Sequence, residues 1–302
     1  MSDNYHVPVM LDECIKGLDI KPSGTYIDVT YGGGGHSKKI LEKLGPNGIL
    51  MVMDQDDDAL NNRIDDKRII YVKSNFRFIK NFATYYDLLP VDGILADLGI
   101  SSHQINEPER GFSYRSPDKM LDMRMNNKGD LDAIKILNMY DENALTAVFK
   151  NYGELNNAKN IAKNIIKERS ISTIKTVGEL NKALEKFTPS KEPSKFLSKV
   201  YQAIRIAVNN EMEALQVLLH DGMDILAKDG RFVVMAYHSL EDRMVKNYFK
   251  TGNLDGEVIK DLFGVSHSPI ELLHSKATIP SDDEINQNKR SRSAKLRIGV
   301  KK

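Results

Sequence analysis

A single cysteine, Cys14, stands in a chain of 302 residues. That scarcity excludes a disulfide framework and a cysteine-based zinc site, and no metal-ligand set is expected. No apolar run approaches the ~20 residues that a membrane span needs. The opening Met1-Ser2-Asp3-Asn4-Tyr5-His6 lacks the basic-then-apolar pattern of a secretory signal, which points to the cytoplasm. An excess of one charge is missing too: 43 Lys and Arg stand against 42 Asp and Glu, a net +1. Global charge therefore announces no nucleic-acid partner. Internal repeats and low-complexity segments are absent. What is there is a chain with 41% hydrophobic and 28% charged residues. It can build a real core and is long enough for one large domain or two ordinary ones.

The richest stretch is Asp28-Val29-Thr30-Tyr31-Gly32-Gly33-Gly34-Gly35-His36-Ser37. Tyr26–Val29 reads as a short buried strand and Lys38–Leu44 as the start of a helix. Four glycines between them remove side chains where a ligand must touch the backbone. No Gly-Lys-Ser/Thr follows at P-loop spacing. A second strand, Ile49–Met53, ends on Asp54, roughly 20 residues past the turn, where a carboxylate takes the two hydroxyls of a ribose. The dinucleotide fingerprint fits only in part, because Ser37 stands where close helix–strand packing wants a third glycine. Asp28, which opens the turn, suits a cofactor with positive charge and no pyrophosphate. That cofactor is S-adenosylmethionine.

An N-terminal helix is expected over Val9–Leu18, then strands at Tyr26–Val29, Ile49–Met53, Ile69–Val72 and Val91–Leu95. Helices fall between them, including Asp57–Ile64 and Phe78–Tyr85, the rhythm of a parallel sheet. Residues 106–125 read as a polar loop, and Leu131–Phe187 shows only helical periodicity. After a break at Thr188–Pro193, one long helix is expected, with Val200, Ile204, Val208, Met212, Leu215, Leu219 and Met223 on one face. Arg231–Ala236 is a further strand, so the sheet resumes after an all-helical insertion. Residues 1–105 and 200–302 are assigned to the sheet domain and 106–199 to an inserted helical domain for substrate recognition.

Ligands of open α/β sheets sit outside the carboxyl ends of the strands. Those ends carry Thr30–His36, Asp54, Asp97–Ser102 and Tyr237-His238-Ser239, and the insertion leaves from the same edge, as a wall or lid. Asp97 ends an apolar strand facing that cleft. Phe76 opens the helix after the third strand, where a ring covers an adenine face or joins the core. Arg110, Phe112, Tyr114, Arg115 and Arg124 share one loop, suited to an unstacked base and its phosphates or to packing on the insertion. His238 is a candidate substrate contact, while Ser239-Leu240-Glu241-Asp242 reads as a capping box. Basic residues cluster locally: twelve against five acidic from Lys150 to Arg205, and seven against none from Lys289 to Lys302. Such segments are either phosphate contacts or solvated surface.

Eight blocks in order carry a resemblance. They are His6–Met10, Gly33–Ser37, Asp97–Ser102, Arg110–Tyr114, Leu121–Met125, Gln202–Asn209, Tyr237–Arg243 and Arg290–Arg297. From about His6 to Arg297 the chain closely resembles the bacterial ribosomal small-subunit RNA (cytosine-N4)-methyltransferase family, also called MraW or RsmH. The resemblance implies a class I, Rossmann-like S-adenosylmethionine-dependent methyltransferase fold with a helical insertion. It implies N4-methylation of a cytidine in the decoding region of small-subunit (16S) ribosomal RNA, within an assembled or assembling subunit, and it leaves a homodimer open. Cofactor contacts carried over from the family fall on Gly34, Gly35, His36, Asp54, Phe76, Asp97 and Gln104, the last on the resemblance alone. Asp97 is the candidate proton acceptor. Alternatives are a noncatalytic ribosome-assembly factor that has kept the cofactor site and a methyltransferase of another RNA. Met120 departs from the family, standing where a proline often precedes Leu121-Asp122-Met123-Arg124.

Overall fold

A computed structural model describes residues 8–263 and 268–302. It divides into two compact units, Met1–Gly99 with Met212–Lys302, and Ile100–Glu211.

The first unit is built on a seven-stranded sheet: β1 (Thr25–Asp28), β2 (Ile49–Asp54), β3 (Ile69–Lys73), β4 (Val91–Asp97), β5 (Leu226–Ala236), β6 (Ile270–Leu272) and β7 (Lys295–Lys301). The order across the sheet is β3-β2-β1-β4-β5-β7-β6. β1 to β5 run parallel, while β7 is antiparallel to both of its neighbours. This is the Rossmann-like α/β sheet expected of the chain. Strand alternation divides the apolar residues between two faces. Leu50 and Val52 of β2 join Cys14, Leu18, Ile40 and Leu95 in one core. Met51 and Met53 join Ile79, Ile94, Leu215 and Leu219 in the other. Each fully buried side chain of this kind contributes about 1.5–3 kcal/mol. The strand order reverses between β1 and β4, which opens a crevice at their carboxyl ends.

The second unit is helical: Ala133–Met139, Glu142–Asn151, Ala158–Ile171, Val177–Leu184 and Pro193–Asn209. Asp132, Asp141 and Thr176 cap three of these helices with side-chain oxygens, and Thr176 forms a capping box with Glu179. Phe112, Leu121, Met123, Phe149, Ile161, Leu180, Val200 and Ile204 share its core.

Three expectations are corrected. The single long helix is two, Pro193–Asn209 and Glu211–Ile225. Asn210 separates them in the left-handed region, at φ 50°. Val200, Ile204 and Val208 belong to the helical core, whereas Leu215, Leu219 and Met223 belong to the sheet core. One stripe in the sequence thus serves two cores, with the helical unit ending at Glu211. The helix expected over Asp57–Ile64 is only a 3-10 turn, Ala59–Asn61. There Asp54 accepts from the Asp56 N–H at 2.9 Å and Asp56 from the Asp58 N–H at 3.1 Å. Such local side-chain bonds compete with helix formation. Finally, the basic C-terminal segment is an inner strand, β7. Lys295 and Arg297 pair with Asp242 at 3.0 and 2.7 Å. Lys301 donates to the carbonyls of Met223, Asp224 and Leu226.

Candidate functional site

β1 delivers Asp28 into the sheet, where it is 1% exposed. It accepts from the Ser37 hydroxyl at 2.6 Å and from the Thr30 N–H at 3.1 Å. Burial raises its pKa, against the pull of those bonds. Ser37 therefore has a different task from the glycine of a dinucleotide site: it ties the helix Gly35–Lys43 to the end of β1. Two glycines are needed for steric reasons. Gly34 sits at φ 75°, and a Cβ there would lie 2.7 Å from the Tyr31 hydroxyl oxygen. At Gly35 a Cβ would lie 2.2 Å from Pro8 Cγ. Pro8 thus closes onto the turn, while His6 and Val7 of the same block lie outside the described residues.

Asp54 and Asp97 end β2 and β4, the strands on either side of β1. The glycine turn therefore lies between two carboxylates. Asp54 accepts from the Gly32 N–H and the Asp56 N–H, each at 2.9 Å. It is partly exposed, and burial pushes its pKa up to about 6. A carboxylate has about four lone-pair positions, so acceptor capacity remains for ligand hydroxyls. Asp97 accepts from the Tyr237 hydroxyl through Oδ1 at 2.8 Å. Its N–H donates to Thr30 Oγ1 at 2.7 Å. Its Oδ2 lies 4.0 Å from His36 Nδ1, close enough for charge to be felt and too far for a hydrogen bond. Burial again dominates, raising its pKa to about 6 against the lowering effects of His36 and Tyr237. His36 Nε2 faces the Val9 carbonyl at 3.1 Å, which anchors the ring.

Phe76 opens the 3-10 turn Phe76–Phe78 and is partly buried against the sheet core. Gln104 is buried in the helical unit. Its Oε1 accepts from the Ser101 N–H at 3.0 Å in a reciprocal capping box.

The candidate substrate residues divide by what they touch. Arg110 donates to the carbonyls of Arg124 and Met125 at 2.9 and 3.1 Å. Arg124 makes a two-pronged pair with Asp122 at 2.8 and 2.7 Å and donates to the Gly129 carbonyl. Both guanidinium groups thus brace their own loop. Phe112 is 8% exposed and belongs to the helical core. Tyr114 is partly exposed, edge-on to Tyr201 at 5.9 Å, with the exposed Arg115 over its ring at 5.6 Å. In the sheet unit His238, not Ser239, caps the helix Ser239–Thr251, and the box partner is Glu241, not Asp242. Asp242 is committed to Arg297 and Lys295. Tyr237 is a residue to which sequence reasoning assigns no role, although it stands at a strand end and opens the block Tyr237–Arg243; its hydroxyl bond to Asp97 is visible only in three dimensions.

A cavity of about 680 Å³ lies elsewhere, beside Leu89, Pro90, Met223 and Tyr248. Pro90 directly precedes β4, so this cavity is at the opposite end of that strand from Asp97. Among the described residues no helix is long and apolar enough to cross a membrane.

The sequence of the MraW methylase family matches residues 3–302. A protein of Flavobacterium johnsoniae named ribosomal RNA small subunit methyltransferase H is 51% identical over 297 residues, covering 98% of each chain. One of the same name from Bacteroides fragilis is 49% identical over 298 residues, covering 99% of this chain and 98% of its own. Another, from Flavobacterium psychrophilum, is 50% identical over 293 residues, covering 97% of this chain and all of its own.

Proposed function

The chain belongs to the MraW methylase family, and from that membership we propose that it transfers a methyl group from S-adenosylmethionine to N4 of a cytidine in the decoding region of 16S ribosomal RNA. The observation that carries the reading is the glycine turn set between Asp54 and Asp97 at the reversal of strand order. The donor set fits the cofactor. Asp54 keeps acceptor capacity for ribose hydroxyls, Gly34 and Gly35 leave the backbone bare, and the anionic ends of β2 and β4 suit a cation. Phe76 is the candidate cover for the adenine ring. When bound, the cofactor supplies an electrophilic methyl on a positively charged sulfur.

The exocyclic amine of cytosine is a poor nucleophile, because its lone pair is delocalised into the ring. An acceptor for its hydrogens restores electron density at nitrogen and takes the proton that the new N–C bond displaces. Asp97 fills that role through Oδ2, the oxygen not engaged by Tyr237. A pKa near 6 leaves it ionised at neutral pH, yet basic enough to hold a proton briefly. Carbon-five methylation would need a thiolate. Cys14 is fully buried, and burial drives its thiol well above the ordinary range, which favours direct attack by the amine. A flipped or single-stranded cytidine is required, as for other chemistry on a base. Within the helical unit, Tyr114 with Arg115 over its ring is a combination suited to an unstacked base. The partner is the small subunit, assembled or assembling, in the cytoplasm.

The test is to incubate the protein with methyl-labelled S-adenosylmethionine and small subunits, then identify the modified nucleoside by mass. N4-methylcytidine is expected. Substrate tritiated at cytosine carbon five should retain its label, and Cys14→Ala should keep near-full activity. Release of tritium in step with methylation would overturn the N4 assignment. Cofactor binding without any turnover would mark a noncatalytic assembly factor.

A further inference from the structure

The helix Ala158–Ile171 buries Ala158, Ile161, Ala162 and Ile165 in the core of the helical unit. Away from that core it carries Lys159, Lys163 and Lys167, all exposed. A spacing of four residues sets them in one row, each about 6 Å further along the helix. Like charges so placed oppose helix formation, and no acidic residue stands three or four positions from any of them. Among the described residues none of the three ammonium groups has a carboxylate partner. Other lysines of the unit do: Lys195 pairs with Glu192 at 3.3 Å, and Lys119 with Glu109. On the buried side, Asn164 donates to the Ala183 carbonyl at 2.7 Å. That bond ties the helix to Val177–Leu184, whose Lys182 is exposed one residue from the tie.

We propose that this lysine row is a docking track for the sugar–phosphate backbone of RNA. The proposal rests on the reading of the chain as an RNA methyltransferase and adds a binding surface to it. From first to last the row rises about 12 Å, the axial length of roughly three to four nucleotides at about 3.4 Å each. Lysine is a compact point charge without the planar fork of arginine, suited to holding phosphates without reading bases. The row itself carries no aromatic or apolar anchor of the kind that a protein partner buries. Its job is to hold the strand in register while the cytidine is presented elsewhere.

The test replaces Lys159, Lys163 and Lys167 together with glutamine. Wild type and variant are titrated with 16S ribosomal RNA and with small subunits over a salt series. Each lost phosphate contact removes about 0.7–0.9 from the slope of log affinity against log salt. The slope should therefore flatten by about two to three, with affinity at low salt reduced roughly tenfold or more. Calorimetric binding of S-adenosylmethionine should be unchanged, and the triple arginine variant should keep the wild-type slope. An unchanged slope in a variant that still binds cofactor would overturn the track. So would lost binding to subunits with full binding to bare RNA, because the partner would then be a protein. If the wild-type protein neither bound nor methylated RNA, the enzyme reading would fail, and the track with it.

Discussion

At the scale of single residues the proposed chemistry rests on two carboxylates held near pKa 6 by burial. An ionised Asp54 is the stronger acceptor for hydroxyls, so acidification weakens the proposed ribose contacts. One pH unit below its pKa about a tenth of Asp54 remains ionised, and cofactor affinity at pH 5 should fall below its plateau by up to about tenfold. Calorimetry across pH 5–8 checks this, and a flat profile would remove Asp54 from the ribose site. Asp54→Asn loses a bond to a charged acceptor, about 1.5–3 kcal/mol, so binding should weaken about ten- to a hundredfold at neutral pH. Folding has the opposite sign. Their unfolded values are about 3.9, so the folded state binds these protons first. Both groups cost stability above pH 6, and the cost fades as pH falls toward 4. Tyr237 adds a second handle. Its hydroxyl donates to Asp97 and favours the charged form, so Tyr237→Phe should raise the Asp97 pKa. The acidic limb of the rate–pH profile should then move upward, with the plateau cofactor affinity held.

At the scale of elements, what the sequence discloses depends on whether a pattern is local. Strand alternation and the Asp28-to-Asp54 spacing are local, and β1 to β4 and their strand-end carboxylates are legible from them. The capping of the helix Ser239–Thr251 is nearly so, displaced by one residue because a histidine, an unusual cap, accepts in place of a serine. Arg110 and Arg124 look like ligands in one dimension, because the carbonyls they brace are fourteen and five residues away. The helical stripe from Val200 to Met223 carries no mark of the turn at Asn210, where an asparagine tolerates the left-handed region. The basic run after Lys289 conceals a strand, because its partner Asp242 is 55 residues distant from Arg297. Burial raises the Asp242 pKa, but the bonds from Arg297 and Lys295 outweigh it and hold the carboxyl below the ordinary range. Arg297 is only 8% exposed. Asp242→Ala would strand that charge, at a cost of about 3–5 kcal/mol, read as a lower urea midpoint. A loss under 1 kcal/mol would show the pair to be surface-like.

At the scale of the whole molecule, the sheet unit is discontinuous, with the helical unit's residues between its two parts. β7 lies inside the sheet, between β5 and β6. Removing residues 295–302 would expose one edge of β5, orphan β6 and free Asp242, so the truncated chain should be insoluble or lack a cooperative melt. A soluble, cofactor-binding truncation would show that β1 to β5 suffice. The position of β7 also sets a timetable for synthesis. It follows every other strand in the chain, yet strands on both sides need it. While the chain is being made, every residue of the helical unit is present once Glu211 is added, but the sheet still lacks β5 to β7. At about 5–20 residues per second, the parallel strands wait on the order of ten seconds for their antiparallel neighbour. Until then β5 has a bare edge, which is where mispairing starts. A message interrupted before residue 295 therefore yields a chain that holds every residue of the helical unit but lacks an inner strand of the sheet. Such an incomplete copy would still carry the proposed lysine row, which on that proposal could occupy RNA without modifying it.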